Sequence, residues 1–432
     1  MNDTAKEIQR YLEELFPLCR SITGNANRET LKILQEVIPL KIIEIPSGTK
    51  VYDWEIPNEW NAYGAWLEDA NGKRLVDFKD CNLHLMSYSI PIKAKIEWEE
   101  LKNHLHFSKE NTSAIPYRTS YYKPKWGFCL TKEQYDYIKS SPGPYTALID
   151  TELKSGSLTY GEYLIKGQSS KEILISCYIC HPSMANDSLS GVLLTAFLAK
   201  YIDQMKNQKW SYRIVFVPET IGAIAYCKMN EQVMKNIDFG LVITTVGGPG
   251  KFGYKQSYDP SHIINELIEE LLSEETDDFK VYPFDIHGSD ERQYSSPEFR
   301  INISTVTKDK YYEYSQYHTS LDNLDFVKGD KIEQCLEIYK KLISKFEELE
   351  YYRSNSPECE VMLSKHDLYP EDGGAVLPDS SSLSQSDLVL WLLFHCDGKI
   401  DLHSIAKRLG LCINTLKPVA EMLERKGLLS RV

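Results

Sequence analysis

At 432 residues the chain is too long for one hydrophobic core of ordinary size, so two or three domains are expected. Hydrophobic residues at 42% and charged residues at 26% exclude a disordered chain, and no apolar run approaches the ~20 residues that span a bilayer. A net charge of -13 argues against a surface that coats nucleic acid.

The first twenty residues, MNDTAKEIQRYLEELFPLCR, mix both charge signs on an amphipathic pattern and lack a signal peptide's uninterrupted apolar centre, which implies a cytoplasmic protein. Ten cysteines are scattered along the chain, several inside apolar segments, and read as reduced thiols. Two helical segments, about 4–19 and 27–37, open the chain around a turn at Ser21-Ile22-Thr23-Gly24. From about residue 41 the pattern changes to short strands, and Asp69-Ala70-Asn71-Gly72 has hairpin chemistry because Asn and Gly tolerate positive φ. Residues 45–149 are expected to form an inserted β-rich module. Its aromatics Tyr52, Trp54, Trp60, Tyr63 and Trp66 are expected in core and cross-strand packing, with a substrate-facing wall as the alternative.

Beyond Pro142-Gly143-Pro144, strands and helices alternate. Strand patterns at 157–165, 172–179, 212–217, 239–246, 279–284 and 301–307 are separated by helical ones at 191–205, 221–234 and 261–274, and a long helix follows at 328–350. Such alternation predicts an α/β fold, a mostly parallel sheet flanked by helices, built from residues 1–44 and 150–352. Residues 351–384, with Asn355-Ser356-Pro357, Asp372-Gly373-Gly374 and Asp379-Ser380, read as a linker. Residues 385–432 then run helix, helix, turn, helix and short strand, the order of a winged helix.

Four segments carry residue types suited to metal binding or proton transfer, each where a strand ends or a loop begins: His181 to Gly191, Val217 to Gly222, Gly288 to Gln293, and Tyr317 to Asp325. Imidazoles and carboxylates converging beyond one sheet edge could hold a cation such as Zn²⁺ with a position open for water, and a nearby carboxylate could take that water's proton. At each position a blander role competes: Asp187 or Glu219 as a helix cap, and Asp290, Asp322 and Asp325 as loop-ordering groups.

In these segments the chain resembles the zinc aminopeptidases of the co-catalytic type. Their motifs follow in order as His181, Asn186-Asp187, Ser190-Gly191, Glu219 with Gly222, Ser289-Asp290, and Tyr317-His318-Thr319 with Asp322. The resemblance covers about 1–40 and 150–350, and is closer still to bacterial aminopeptidase-like proteins with an inserted β module and a C-terminal winged helix. It implies His181, Asp187 and His318 as metal ligands and Glu219 as general base. Two carboxylates of the pattern are missing, one at Thr220 and one near Thr244 or Thr245, so one zinc ion is expected rather than two. Arg292 is a candidate for a substrate carboxylate, with a surface salt bridge as its alternative, and Tyr317 is a second candidate substrate contact.

Cys177-x-x-Cys180-His181 also fits haem attachment or a redox pair, but haem attachment needs an exported chain and both thiols sit in an apolar strand. The winged helix carries seven basic against five acidic side chains from Ser386 to Val432, a weak surplus for duplex binding. It is expected to pack on the α/β domain or at an interface in a homo-oligomer. The function that follows is metal-dependent hydrolysis of N-terminal residues from peptides. Its alternatives are an aminopeptidase-like protein that acts on another small amide or on none, or a winged-helix regulator.

Overall fold

A continuous buried run can be satisfied only inside a sheet covered on both faces. Glu172–Tyr178, with six of seven residues buried, occupies such a place in the computed structural model, which describes residues 3–369 and 383–432. It pairs in parallel with Ser211–Val217 on one side and with Phe239–Val242 on the other. Phe239–Val242 in turn pairs in parallel with Asn302–Thr307. These four strands form the centre of an eight-stranded sheet.

The sheet is mixed, and the expectation of a mostly parallel one holds in part, at its centre. Four of its seven pairings are parallel and three antiparallel, the latter joining Lys41–Pro46 to Ser157–Ile165, Ser157–Ile165 to Ser211–Val217, and Phe252–Lys255 to Asn302–Thr307. Parallel neighbours need a crossover between them, and here helices such as Gly191–Gln204 supply it. Ser157–Ile165 instead enters from the inserted module and meets its neighbour head to tail. Phe252–Lys255, a four-residue strand with a central glycine, carries too little pattern to be seen in the sequence.

Gly191–Gln204 buries ten of its fourteen residues, so it is apolar nearly all round. It starts so close to the sheet that a Cβ on Gly191 would lie 2.3 Å from the Ile243 carbonyl oxygen, which only glycine tolerates.

The inserted region folds as an antiparallel four-stranded sheet in the order Arg74–Asp77, Glu59–Glu68, Tyr145–Lys154, Ile92–Ile96. The hairpin at 69–72 forms as expected: Asp69 Oδ1 accepts from the backbone N–H groups of Asn71 and Lys73, both at 2.9 Å, and Gly72 takes φ 76°. Trp60 is buried and stacked on Tyr88 at 5.5 Å, whereas Tyr63 is exposed. One core runs through both parts: Trp60, Leu67, Val76 and Ala147 of the insert pack in the same cluster as Leu174, Val217, Ala223 and Ile303. By contacts the chain divides into Met1–Leu342 and Ile343–Val432.

The second unit has helices Gln385–His395, Leu402–Arg408 and Ile413–Arg425 with a three-stranded antiparallel sheet, Tyr351–Ser354 between Asp397–Asp401 and Leu429–Arg431. The linker expected from residue 351 therefore begins with the central strand, because Tyr351 and Tyr352 are buried in this unit. The Asp372-Gly373-Gly374 and Asp379-Ser380 parts of that linker lie outside the described residues.

Arg28 ties helix Asn25–Leu34 to the insert. Its Nη1 and Nη2 donate to the two Glu59 oxygens at 2.8 and 2.6 Å, and its Nε donates to Glu44 at 2.9 Å. The fork on Glu59 holds that carboxyl at about 2, below its ordinary 4.5. A depressed carboxyl stabilises the fold above its unfolded value, and the contribution is lost as pH falls from about 4.5 toward about 2. Glu59→Gln is expected to lower unfolding stability by about 1–2 kcal/mol at pH 7. In urea titrations the gap to the parent chain should narrow as pH falls below about 4.5 and close near pH 2.

Candidate functional site

The loop after Glu172–Tyr178 leaves the sheet at the carboxyl ends of its central strands, where a crevice forms. It is clamped from three sides. Asp322 accepts from the backbone N–H groups of Asn186 (2.6 Å) and Asp187 (2.9 Å) and from the Tyr314 hydroxyl (3.0 Å). Asn186 Oδ1 accepts from Gly247 N–H and Ser190 Oγ from Val246 N–H, fixing the loop to the end of the neighbouring strand. Ser188 donates to the Tyr178 carbonyl. Burial raises the Asp322 carboxyl to about 7 in spite of these donors. Asp322 is thus a loop-ordering group, while Asp325 is fully exposed.

The clamped loop aims Asp187 between two imidazoles. His181, His318 and Asp187 come together although 137 residues separate the two histidines (318 − 181), and their rings are 5.4 Å apart. Asp187 Oδ2 lies 3.0 Å from His318 Nε2 and 3.9 Å from His181 Nε2, and the three candidate donor atoms fall within 4.8 Å of one another. Burial works to raise Asp187, but the imidazoles of His181 and His318 and the Tyr178 hydroxyl hold it at about 2. Burial pushes His181 down to about 4, so its imidazole is neutral near pH 7 and keeps a lone pair for a cation.

The two oxygens of Asp187 differ. Oδ1 accepts from the Tyr178 hydroxyl, which also lies 2.7 Å from Thr244 Oγ1. Oδ2 is buried without a hydrogen-bond partner. A buried, ionised carboxylate oxygen that faces two imidazole nitrogens and takes no well-formed hydrogen bond is a costly arrangement unless a cation completes it. Tetrahedral zinc ligands on bonds near 2.0–2.1 Å lie about 3.4 Å apart, a spacing bracketed by the distances here. The residues present therefore fit a divalent cation.

Glu219 follows Ser211–Val217, and its Oε2 is 3.8 Å from His181 Nε2. Burial, and then the charges of Asp290 and Asp187, hold its carboxyl well above the usual range. Its backbone N–H donates to Cys180 Sγ at 3.2 Å, and the next residue, Thr220, adopts φ 62° and donates its N–H to Asp290 Oδ1 at 2.7 Å. Asp290 thus fixes the turn that presents Glu219. Cys177 and Cys180 are buried free thiols whose titration burial pushes upward, so they pack as small hydrophobes. Where the resemblance leads one to expect carboxylates, the chain has hydroxyls: Thr220 faces the cleft, Thr244 bonds Tyr178, and Thr245 bonds Thr307.

The insert supplies the opposite wall. Tyr117 N–H donates to the His318 carbonyl at 2.8 Å, Ser320 N–H donates to the Ile115 carbonyl at 2.9 Å, and the Tyr117 ring meets His181 and His318 at 5.4 and 5.3 Å. His318 itself takes φ 54°, and Tyr317 stacks on its ring at 3.9 Å. Tyr117, Arg118, Tyr121, Tyr122 and Trp54 close a cleft of about 440 Å³ over His181, Glu219 and His318. Of the early aromatic cluster only Trp54 reaches it. Arg292, expected on a substrate carboxylate, stands exposed with Nη1 on the Ile286 carbonyl and is not among the cleft-lining residues. Arg20, Tyr117 and Tyr178 went unseen in the sequence. Arg20 is buried and holds the His181 carbonyl through Nε at 3.0 Å.

The family model described as a domain of unknown function, DUF4910, matches residues 9–349, and one described as a winged helix-turn-helix matches 350–431. A Clostridium acetobutylicum protein, named provisionally as a polysaccharide biosynthesis protein with an aminopeptidase-like domain, is 41% identical over 431 residues, 100% of this chain and 98% of its own. A crystal structure from the same organism, described as a provisionally assigned peptidase, matches with TM-score 0.80 at 40% identity over 100% of this chain and 97% of that one. The zinc aminopeptidase BSAP of Bacillus subtilis matches with TM-score 0.57 at 11% identity, over 79% of this chain and 95% of its own, a likeness of fold.

Removing the clamp beneath Asp187 leaves two buried backbone N–H groups without an acceptor. Asp322→Ala is expected to lower unfolding free energy by about 2–4 kcal/mol in chemical denaturation, and Asp322→Asn by less, because the amide oxygen still accepts.

Proposed function

The chain belongs to the family described as a domain of unknown function, DUF4910, and from that membership and the geometry of its cleft we propose that it is a metal-dependent amide hydrolase of aminopeptidase type. The observation that carries this is the buried Asp187 Oδ2 set between the His181 and His318 ring nitrogens with Glu219 alongside. His181, Asp187 and His318 are assigned as ligands of one zinc ion. A cation bound there supplies a polarised water and a Lewis acid for the amide carbonyl.

Glu219 is assigned the proton: it stands beside His181, opens into the cleft with 28% of its side chain accessible, and its upward-shifted carboxyl suits accepting a proton and returning it. Asp290 positions Glu219 through Thr220, and Tyr317 steadies the His318 ring. Tyr178 supports a one-ion site. Its hydroxyl occupies Asp187 Oδ1, the atom that a second, bridged cation would need, while Thr220 and Thr244 offer no charge there.

The C-terminal unit is assigned to protein contact rather than to duplex binding. Two of its cations are already neutralised, Lys417 by Glu350 at 3.3 Å and Arg431 by Glu424 at 3.1 Å. Among the described residues no helix is long and apolar enough to cross a membrane, and we place the protein in the cytoplasm, where its free thiols stay reduced.

Elemental analysis should find about one zinc per chain, with His318→Ala losing it. Glu219→Gln should keep the metal and lose amide turnover by about 10²–10⁴-fold, and metal retention with undiminished turnover would remove Glu219 from the chemistry. Full-length protein should give no salt-dependent mobility shift with random duplex DNA.

A further inference from the structure

The loop that covers the cleft has a charge unlike that of the rest of the chain. In a protein of net charge -13, residues 118–125, Arg-Thr-Ser-Tyr-Tyr-Lys-Pro-Lys, carry three cations and no acid. Arg118, Lys123 and Lys125 are exposed, and none has an acidic partner among the described residues. Arg118 lines the cleft itself, beside Tyr117, Tyr121 and Tyr122, and Tyr122 meets Trp54 edge-on at 5.8 Å. A positive strip maintained over a negative protein concentrates anions at the cleft mouth.

The cleft floor points the same way. Among the described residues lining it, Glu219 is the one acid, and Asp187 lies buried below. Asp187 is assigned to the cation and Glu219 to the proton, so among the described lining residues no carboxylate is left over for a substrate ammonium. Thr220, next to Glu219, offers a hydroxyl. An ammonium brought in here would lose hydration without gaining a counter-charge and would meet the field of Arg118. A carboxylate would instead meet a free guanidinium fork beside apolar ring faces. The volume, about 440 Å³, suits a small compound.

Resting on the metal-dependent hydrolysis proposed above, we infer that the cleft takes an acyl-blocked amide bearing a carboxylate, the class of N-acyl amino acids, with Arg118 holding the carboxylate and the tyrosines flanking the body. Hydrolysis breaks the acyl C–N bond and places the water oxygen on the acyl carbon. One proton of the water passes through Glu219 to the leaving nitrogen and the second follows from the new carboxylic acid, so the products are one carboxylate and one ammonium.

Three probes on one skeleton separate the charge states: N-acetyl-phenylalanine, N-acetyl-phenylalaninamide and phenylalaninamide. Calorimetric binding to the zinc-loaded full chain carrying Glu219→Gln should favour the N-acetyl acid over both others by about tenfold, and raising salt from about 0.05 to about 0.5 M should shrink the preference. Adding Arg118→Ala should abolish it, while Arg118→Lys should retain part. Phenylalaninamide binding as tightly as the N-acetyl acid, or a preference untouched by Arg118→Ala, overturns the inference. Turnover of the three by the parent chain is read separately. If none is cleaved and no zinc is retained, the hydrolase function fails, while the same binding series on the metal-free full chain still decides the role of Arg118.

Discussion

A single ionised carboxylate with two unlike oxygens organises this protein. Asp187 is wholly buried, and a charge in that position survives only if every neighbour is arranged for it. Tyr178 takes one oxygen, Asp322 holds the backbone on either side of Asn186, and Gly191 lets the following helix start against the sheet. The second oxygen is left facing the imidazoles. The strand, the loop and the helix after it are thus fixed by one electrostatic requirement.

Much of this was legible in the sequence because it is local. The apolar run before His181, the Asn-Asp loop and the apolar helix after Gly191 occupy one stretch, and their period and turn chemistry declare strand, loop and helix. The approach of His318 to His181 rested on motif order and not on any pattern of spacing. What stayed hidden depends on tertiary neighbours. Tyr178 looks like one more strand residue until Thr244 and Asp187 are seen beside it. The antiparallel edges of the sheet follow from where the insert returns its chain, which no periodicity records. Tyr117 to Tyr122 sit in a segment with little regular structure, so nothing marked them as a wall.

The hydroxyls at Thr220 and Thr244 and the phenol of Tyr178 form a coherent set. Hydroxyls add no negative charge around Asp187, and each of Tyr178 and Thr244 finds a partner in the other. The pair of Tyr178 and Thr244 is thereby satisfied without added charge, as members of a buried polar network must be. The same economy leaves Arg118 as the cation of the cleft lining without a built-in counter-charge.

The backbone pairing of Tyr117 with His318 and of Ile115 with Ser320 has a kinetic meaning. These bonds join segments about two hundred positions apart, and the strained φ of His318 persists only while they hold. Local opening of the short segment that carries Ile115 and Tyr117 would free the second imidazole without breaking the core that the insert shares with the central sheet. Exchange of a cation held at the proposed site would then be governed by a partial opening whose free energy lies below that of global denaturation, and this segment would act as the latch on its residence time.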